Sequence, residues 1–197
     1  MARGAPIIVL VVDNTPGRAS ALAAALATVK GVQVACTLET PLELLSRVEE
    51  HRPDVVLIAT ESPSRDVLEQ LAAVNSAAPR PVIMFTDDAG DEAIRAALRA
   101  GVSAYIVDGL APGRLEPIMR VAMERFSADQ QLRAELEDTK GKLADRKVIE
   151  RAKGILMTQR GLDEDEAYAA LRRHAMAKGL KLGDAARQVV EIAKLLG

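Results

Sequence analysis

An unbroken aliphatic run, Ile7-Ile-Val-Leu-Val-Val12, followed by Asp13, constrains this chain more than any other feature. Without polar alternation it suits a strand covered on both faces, the setting of a parallel sheet. It is too short to span a membrane or to form the core of a signal sequence. Pro16 and Gly17 break the run, and an Ala-rich helical stretch follows over 18–29. The alternation continues with strands over 32–36, 54–59, 81–85 and 104–107, and helices over 41–50, 67–74, 91–100 and from 112 onward. Five strands alternating with five helices predict an α/β fold, a doubly wound five-stranded parallel sheet whose ligands sit at the carboxyl ends of the strands.

Apolar residues make up 49% of the 197 positions, enough for one large core or two small ones. The formal charge of −2 is unevenly placed: from 144 onward 11 Lys and Arg stand against 8 Asp and Glu, so the tail is mildly basic and the front acidic. That balance permits nucleic-acid binding without proving it, because affinity follows the phosphates contacted and not the net charge. Cys36 is the only cysteine, and two distant histidines make no metal-ligand cluster. A reducing cytoplasm is the expected location. No nucleophile–base pair and no phosphate loop is visible, so neither a catalytic role nor a cofactor is expected.

The tail carries the functional signal. In the run 146–157, Val148, Ile149, Ala152, Ile155 and Leu156 recur at helical spacing, and Arg146, Lys147, Glu150, Arg151 and Lys153 take the opposite, basic face. Gly161 stops this helix. Asp163 with Glu166 has the form of a capping box opening a second helix to about 178, with Ala167, Tyr168, Leu171 and Ala175 as its inner stripe. Gly179 closes it, and a third helix from about 184 presents Ala186, Val189, Val190 and Ala193. Met157 and Met176 read as packing residues. Ala152-Lys-Gly-Ile-Leu-Met157, Gly161, Glu166-Ala-Tyr168, Leu171-Arg172 and Ala175-Met176 resemble the ANTAR domain, the three-helix RNA-binding output module of bacterial antitermination regulators. The resemblance implies recognition of a paired-hairpin element in a leader mRNA, so that a downstream terminator does not form. Lys153 and Arg172 are the first candidates for RNA contact, with Arg151, Arg173, Lys178 and His174 in support. With Tyr168 assigned to the core, the tail has no aromatic on which to stack a base, and arginine planes, amides and backbone must serve instead.

The front half resembles a response-regulator receiver domain, with its flavodoxin-type strand order, and departs from it where phosphorylation needs side chains. Receiver chemistry uses an acidic pair after the first strand, a phosphoacceptor aspartate ending the third, a hydroxyl after the fourth and a lysine after the fifth. Asp13 and Asn14 hold the acidic pair here, Ala59 the acceptor position, Thr86 the hydroxyl position and Asp108 the lysine position. Alanine has no nucleophilic oxygen, and an aspartate in place of the lysine repels a phosphoryl group. The residues describe a degenerate site and a pseudo-receiver. Thr60-Glu-Ser-Pro-Ser-Arg-Asp66 and Gly101-Val-Ser-Ala-Tyr-Ile-Val-Asp-Gly-Leu110 are similar to nitrate-responsive antiterminators of the NasT type. That likeness implies control by a nitrate- or nitrite-sensing partner protein that sequesters the regulator, in place of phosphorylation.

The expected domains are a pseudo-receiver over 1–118, a linker helix over 119–143 and a three-helix domain over 144–197. Leu132, Leu136 and Leu143 make a seam that Asp129 and Thr139 interrupt, so a short dimeric coiled coil and an exposed lone helix both stay open. Gly141 lowers helix propensity by about 1 kcal/mol relative to Ala and marks a candidate hinge. Two rival functions stay open as well: a DNA-binding helix-turn-helix factor, and an interaction protein acting through the pseudo-receiver alone.

Overall fold

The computed structural model describes residues 5–13, 18–107 and 113–196. They form two compact units, 1–129 and 130–197. In the first unit the strands are β1 (Ile7–Asp13), β2 (Val32–Leu38), β3 (Val55–Ala59), β4 (Val82–Thr86) and β5 (Ala104–Val107). All pair in parallel in the order β2-β1-β3-β4-β5, the flavodoxin-type arrangement expected. The helices are α1 (Arg18–Ala27), α2 (Leu44–His51), α3 (Arg65–Ala77), α4 (Asp91–Ala100) and the start of α5 (Leu115–Arg160).

Strand pleating splits the apolar runs between two cores. Leu10, Val12, Val56, Ile58 and Met84 point to the face covered by α2, α3 and α4, where they meet Leu44, Val48, Leu71 and Ala97. Val9, Val11, Leu57, Ile83 and Phe85 point to the other face, against Leu22 and Leu26 of α1 and Leu115 and Met119 of α5. A sheet covered on both sides is why its central strands read as continuous hydrophobic runs and not as alternating ones.

Local chemistry sets the boundaries. Pro41, which has no N–H, opens a 3₁₀ turn (Pro41–Glu43) capped by Thr40, so α2 proper begins at Leu44 and not at 41. Ser64 Oγ accepts from Val67 N at 3.4 Å and starts α3 two residues earlier than the apolar periodicity indicates. Gly101 ends α4 at φ +103°, a conformation that costs glycine little.

The second unit comprises the C-terminal part of α5, α6 (Glu164–Lys178) and α7 (Leu182–Leu196), packed on Ala152, Leu171, Ala186 and Val190. Two expectations change here. The last receiver helix, the linker and the first tail helix are one helix of 46 residues, and Gly141 lies exposed within it without a break. Backbone hydrogen bonding on either side outweighs the low propensity of a single glycine. The third helix begins at Leu182, two residues before the expected start. The Asp163 capping box is present: Asp163 Oδ1 accepts from Glu166 N at 2.8 Å, and Glu166 Oε2 accepts from Asp163 N at 3.1 Å. No helix among the described residues is long and apolar enough to cross a membrane.

Candidate functional site

At the carboxyl edge of the sheet, register brings Asp13, Ala59 and Thr86 to the ends of adjacent strands: Asp13 pairs with Ala59, and Ala59 with Phe85 just before Thr86. Asn14 and Asp108, assigned to the same edge, lie outside the described residues. Ala59 is buried and offers a methyl group where a phosphoacceptor needs a carboxylate. The Thr86 hydroxyl donates to Glu61 O at 2.8 Å, and its oxygen accepts from Asp88 N at 3.2 Å. Ser62 Oγ donates to Asp88 Oδ2 at 2.6 Å, and Tyr105 OH donates to Asp88 O at 2.8 Å. Ser62, and after it the Gly90 amide, holds the Asp88 carboxyl below the usual carboxylate range. The loops after β3 and β4 are thus tied to each other by side chains from both.

In the second unit the basic candidates divide. Arg151, Arg172, Arg173 and Lys178 are exposed. His174 is half-buried, with a ring nitrogen 3.3 Å from Gln188 Oε1. Lys153 does not lie on the outer face: only 8% of it is exposed, and its ammonium bonds Glu164 Oε1 at 2.6 Å and both Glu150 carboxylate oxygens at 3.1 Å. Glu164 first, then Glu150, raises its pKa above the ordinary lysine value. The expectation of an outward Lys153 fails because α6 starts beside α5 and covers that flank. Periodicity within α5 carries no information about where α6 begins.

Tyr168 is displaced in the opposite sense. It is 44% exposed, whereas Ala167, Leu171 and Ala175 fill the core. Met176 is 72% exposed, and Met157 is also largely outside the core, so neither is the packing residue expected from sequence. The buried stripe of α6 is narrow, Ala167, Leu171 and Ala175, and Tyr168 is turned about 100° round the helix from Ala167, off that stripe. Tyr168, Arg172 and Met176 follow at four-residue steps, which puts a ring, a guanidinium and a thioether on one exposed flank of α6. Sequence reasoning missed this aromatic; the signal available was that Tyr168 sits at the edge of the stripe and not at its centre.

Two family models match the chain: the response regulator receiver domain over residues 9–120 and the ANTAR domain over residues 137–190. The transcriptional regulatory protein PdtaR of Mycobacterium tuberculosis is 30% identical over 149 residues, 76% of this chain and 73% of that protein. A nitrate regulatory protein of Klebsiella oxytoca is 41% identical over 66 residues, 34% of this chain and 17% of that protein. A protein-glutamate methylesterase/protein-glutamine glutaminase of Myxococcus xanthus matches 98 residues at 35% identity, 49% of this chain and 28% of that protein, a likeness confined to the receiver domain. Among solved structures, the receiver domain of NarL from Mycobacterium tuberculosis superposes with a TM-score of 0.54 at 22% identity, over 60% of this chain and 98% of that one. A CheY-like receiver from Methanospirillum hungatei gives 0.54 at 22% identity, over 64% and 99%. These likenesses establish the receiver fold of the first unit.

Proposed function

The chain belongs to the ANTAR-domain response regulators, and on that premise we propose that it is a transcription antitermination regulator that binds paired hairpins of a leader mRNA through its C-terminal domain. The carrying observation is the exposed flank Tyr168, Arg172 and Met176 of α6. Unpaired loop bases stack on aromatic rings and on guanidinium planes, and this flank supplies both at one-turn spacing. Arg173, Lys178, Arg151 and His174 are the supporting contacts in this reading. Lys153 acts as a positioning residue that joins α5 to the start of α6.

The same reading assigns 1–118 to a pseudo-receiver, 119–143 to a linker helix and 144–197 to the RNA-binding domain. Leu132, Leu136 and Leu143 are all exposed on α5, which supports a homodimer through the linker, one protomer per hairpin. Control passes through a partner protein that senses nitrate or nitrite and sequesters the regulator. Ala59, which lacks a phosphoacceptor oxygen, and the similarity to a nitrate regulatory protein support that route. The expected location is the cytoplasm, where the transcript is made.

Transcription in vitro of a template carrying the leader and its terminator tests the function. Adding the full chain should raise read-through, and Arg172→Glu should not. Equal read-through with and without the wild-type protein would rule out antitermination.

A further inference from the structure

The C-terminal unit has a second cationic surface that α6 does not touch. Between α5 and α7 runs a groove of about 430 Å³, walled by Lys147 and Arg151 on one helix and Arg187 and Lys194 on the other. Ala144, Val148 and Val190 are the apolar residues along it, and Glu191 is the one acidic residue among those that line it. Lys147 and Arg151 are four residues apart and Arg187 and Lys194 seven, so each pair shares one side of its own helix. At 1.5 Å per residue the two rows run about 6 Å and about 10 Å, on the order of two to three nucleotides of backbone.

The four cations are not equivalent. Arg187 donates to Asp145 Oδ1 at 2.8 Å and to Asp184 Oδ1 at 2.9 Å, which fixes its fork and balances its charge. Lys147, Arg151 and Lys194 are exposed and have no carboxylate within ion-pair distance among the described residues. The groove also has no aromatic residue. Its exposed cations are placed to neutralise phosphates.

Resting on the RNA-binding reading above, the geometry points to the α5–α7 groove as a sequence-independent phosphate track for the RNA backbone, separate from the α6 flank that meets the bases. Phosphate contacts set position and register, whereas base contacts carry sequence. Lys147, Arg151 and Lys194 hold the strand by charge, and Glu191 opposes it.

The test is anisotropy of the full chain with a labelled two-hairpin RNA and a counterpart with scrambled loops, over about 50–200 mM salt. The variants are Lys147→Gln/Arg151→Gln/Lys194→Gln together, Glu191→Gln, and Arg172→Glu. All the residues changed are exposed, and unchanged thermal unfolding verifies the fold. The triple variant should bind both RNAs about tenfold more weakly and lose about two units of salt slope, with the ratio between the RNAs unchanged. Glu191→Gln should tighten binding to both. Wild-type affinity and slope in the triple variant, with binding lost in Arg172→Glu, would overturn the track and leave the RNA reading standing. A triple variant that loses discrimination between the two RNAs would also overturn it, since the groove would then read bases. If the wild-type protein binds same-sequence duplex DNA as well as RNA, the RNA reading falls and the track with it.

Discussion

The ammonium of Lys153 on α5 lies 2.6 Å from the carboxylate of Glu164, the first residue of α6. This ion pair crosses the turn at Gly161, and with Glu150 it surrounds a nearly buried cation with two carboxylates. The ammonium joins the two helices, and removing it leaves the Glu150 and Glu164 carboxylates side by side without a cation between them.

Lys153→Glu therefore acts on folding before it acts on any ligand. It sets a third carboxylate beside Glu150 and Glu164, so the melting temperature of the C-terminal unit should fall further than for Arg172→Glu, whose side chain is exposed. The pH dependence has a definite sign. Because the folded pKa of Lys153 is raised, its contribution is fully present below the ordinary lysine pKa and is lost as pH rises through the folded value. Thermal unfolding at neutral and strongly alkaline pH should show that loss in the wild type and not in Lys153→Met.

Gly101→Ala probes the receiver-like unit. At φ +103°, an added Cβ meets Asn75 Cγ at 2.7 Å, so backbone strain and a clash combine. The expected cost is about 2 kcal/mol, read from the midpoint of urea unfolding. A change within experimental error would mean that Asn75 and the α4–β5 turn yield easily.

Incubation with acetyl phosphate should leave the intact mass of the full chain unchanged, because Ala59 offers no oxygen to take the phosphoryl group. A stable phosphoryl adduct within 1–118 would contradict the degenerate-site assignment.

The Asp88 carboxyl should titrate below the ordinary aspartate range, and Ser62→Ala should bring it back toward that range, since the Ser62 hydroxyl is the largest cause of the depression. A depressed pKa gives stability that is present above the ordinary carboxylate value and is lost as pH falls through the folded one. Carboxyl-carbon NMR titration of the two proteins measures the depression and its relief, and unfolding midpoints at falling pH measure the stability.

The sheet was legible because burial on both faces writes itself into runs such as Val9 to Val12, and the capping box of α6 because its two partners are three residues apart. What the sequence concealed depends on neighbours. Whether Tyr168 or Lys153 faces solvent is decided by which helix lies against each flank of α5 and α6, and a single-helix period does not contain that. The α5–α7 groove brings Lys147 together with Lys194 across 47 positions of sequence, so no local motif announces it. Merging of the linker with the first tail helix was equally hidden, since Gly141 lowers propensity without setting the outcome.

RNA recognition by the α6 flank is measured most simply by titrating the full chain against a labelled two-hairpin leader RNA, with same-sequence duplex DNA as control, for the wild type, Tyr168→Ala and Arg172→Glu. Binding should favour RNA, fall about 5- to 100-fold in Tyr168→Ala through lost stacking and fall further in Arg172→Glu, all with unchanged melting of the C-terminal unit. Equal affinity for RNA and DNA, or wild-type RNA binding by both variants, would contradict recognition by that flank.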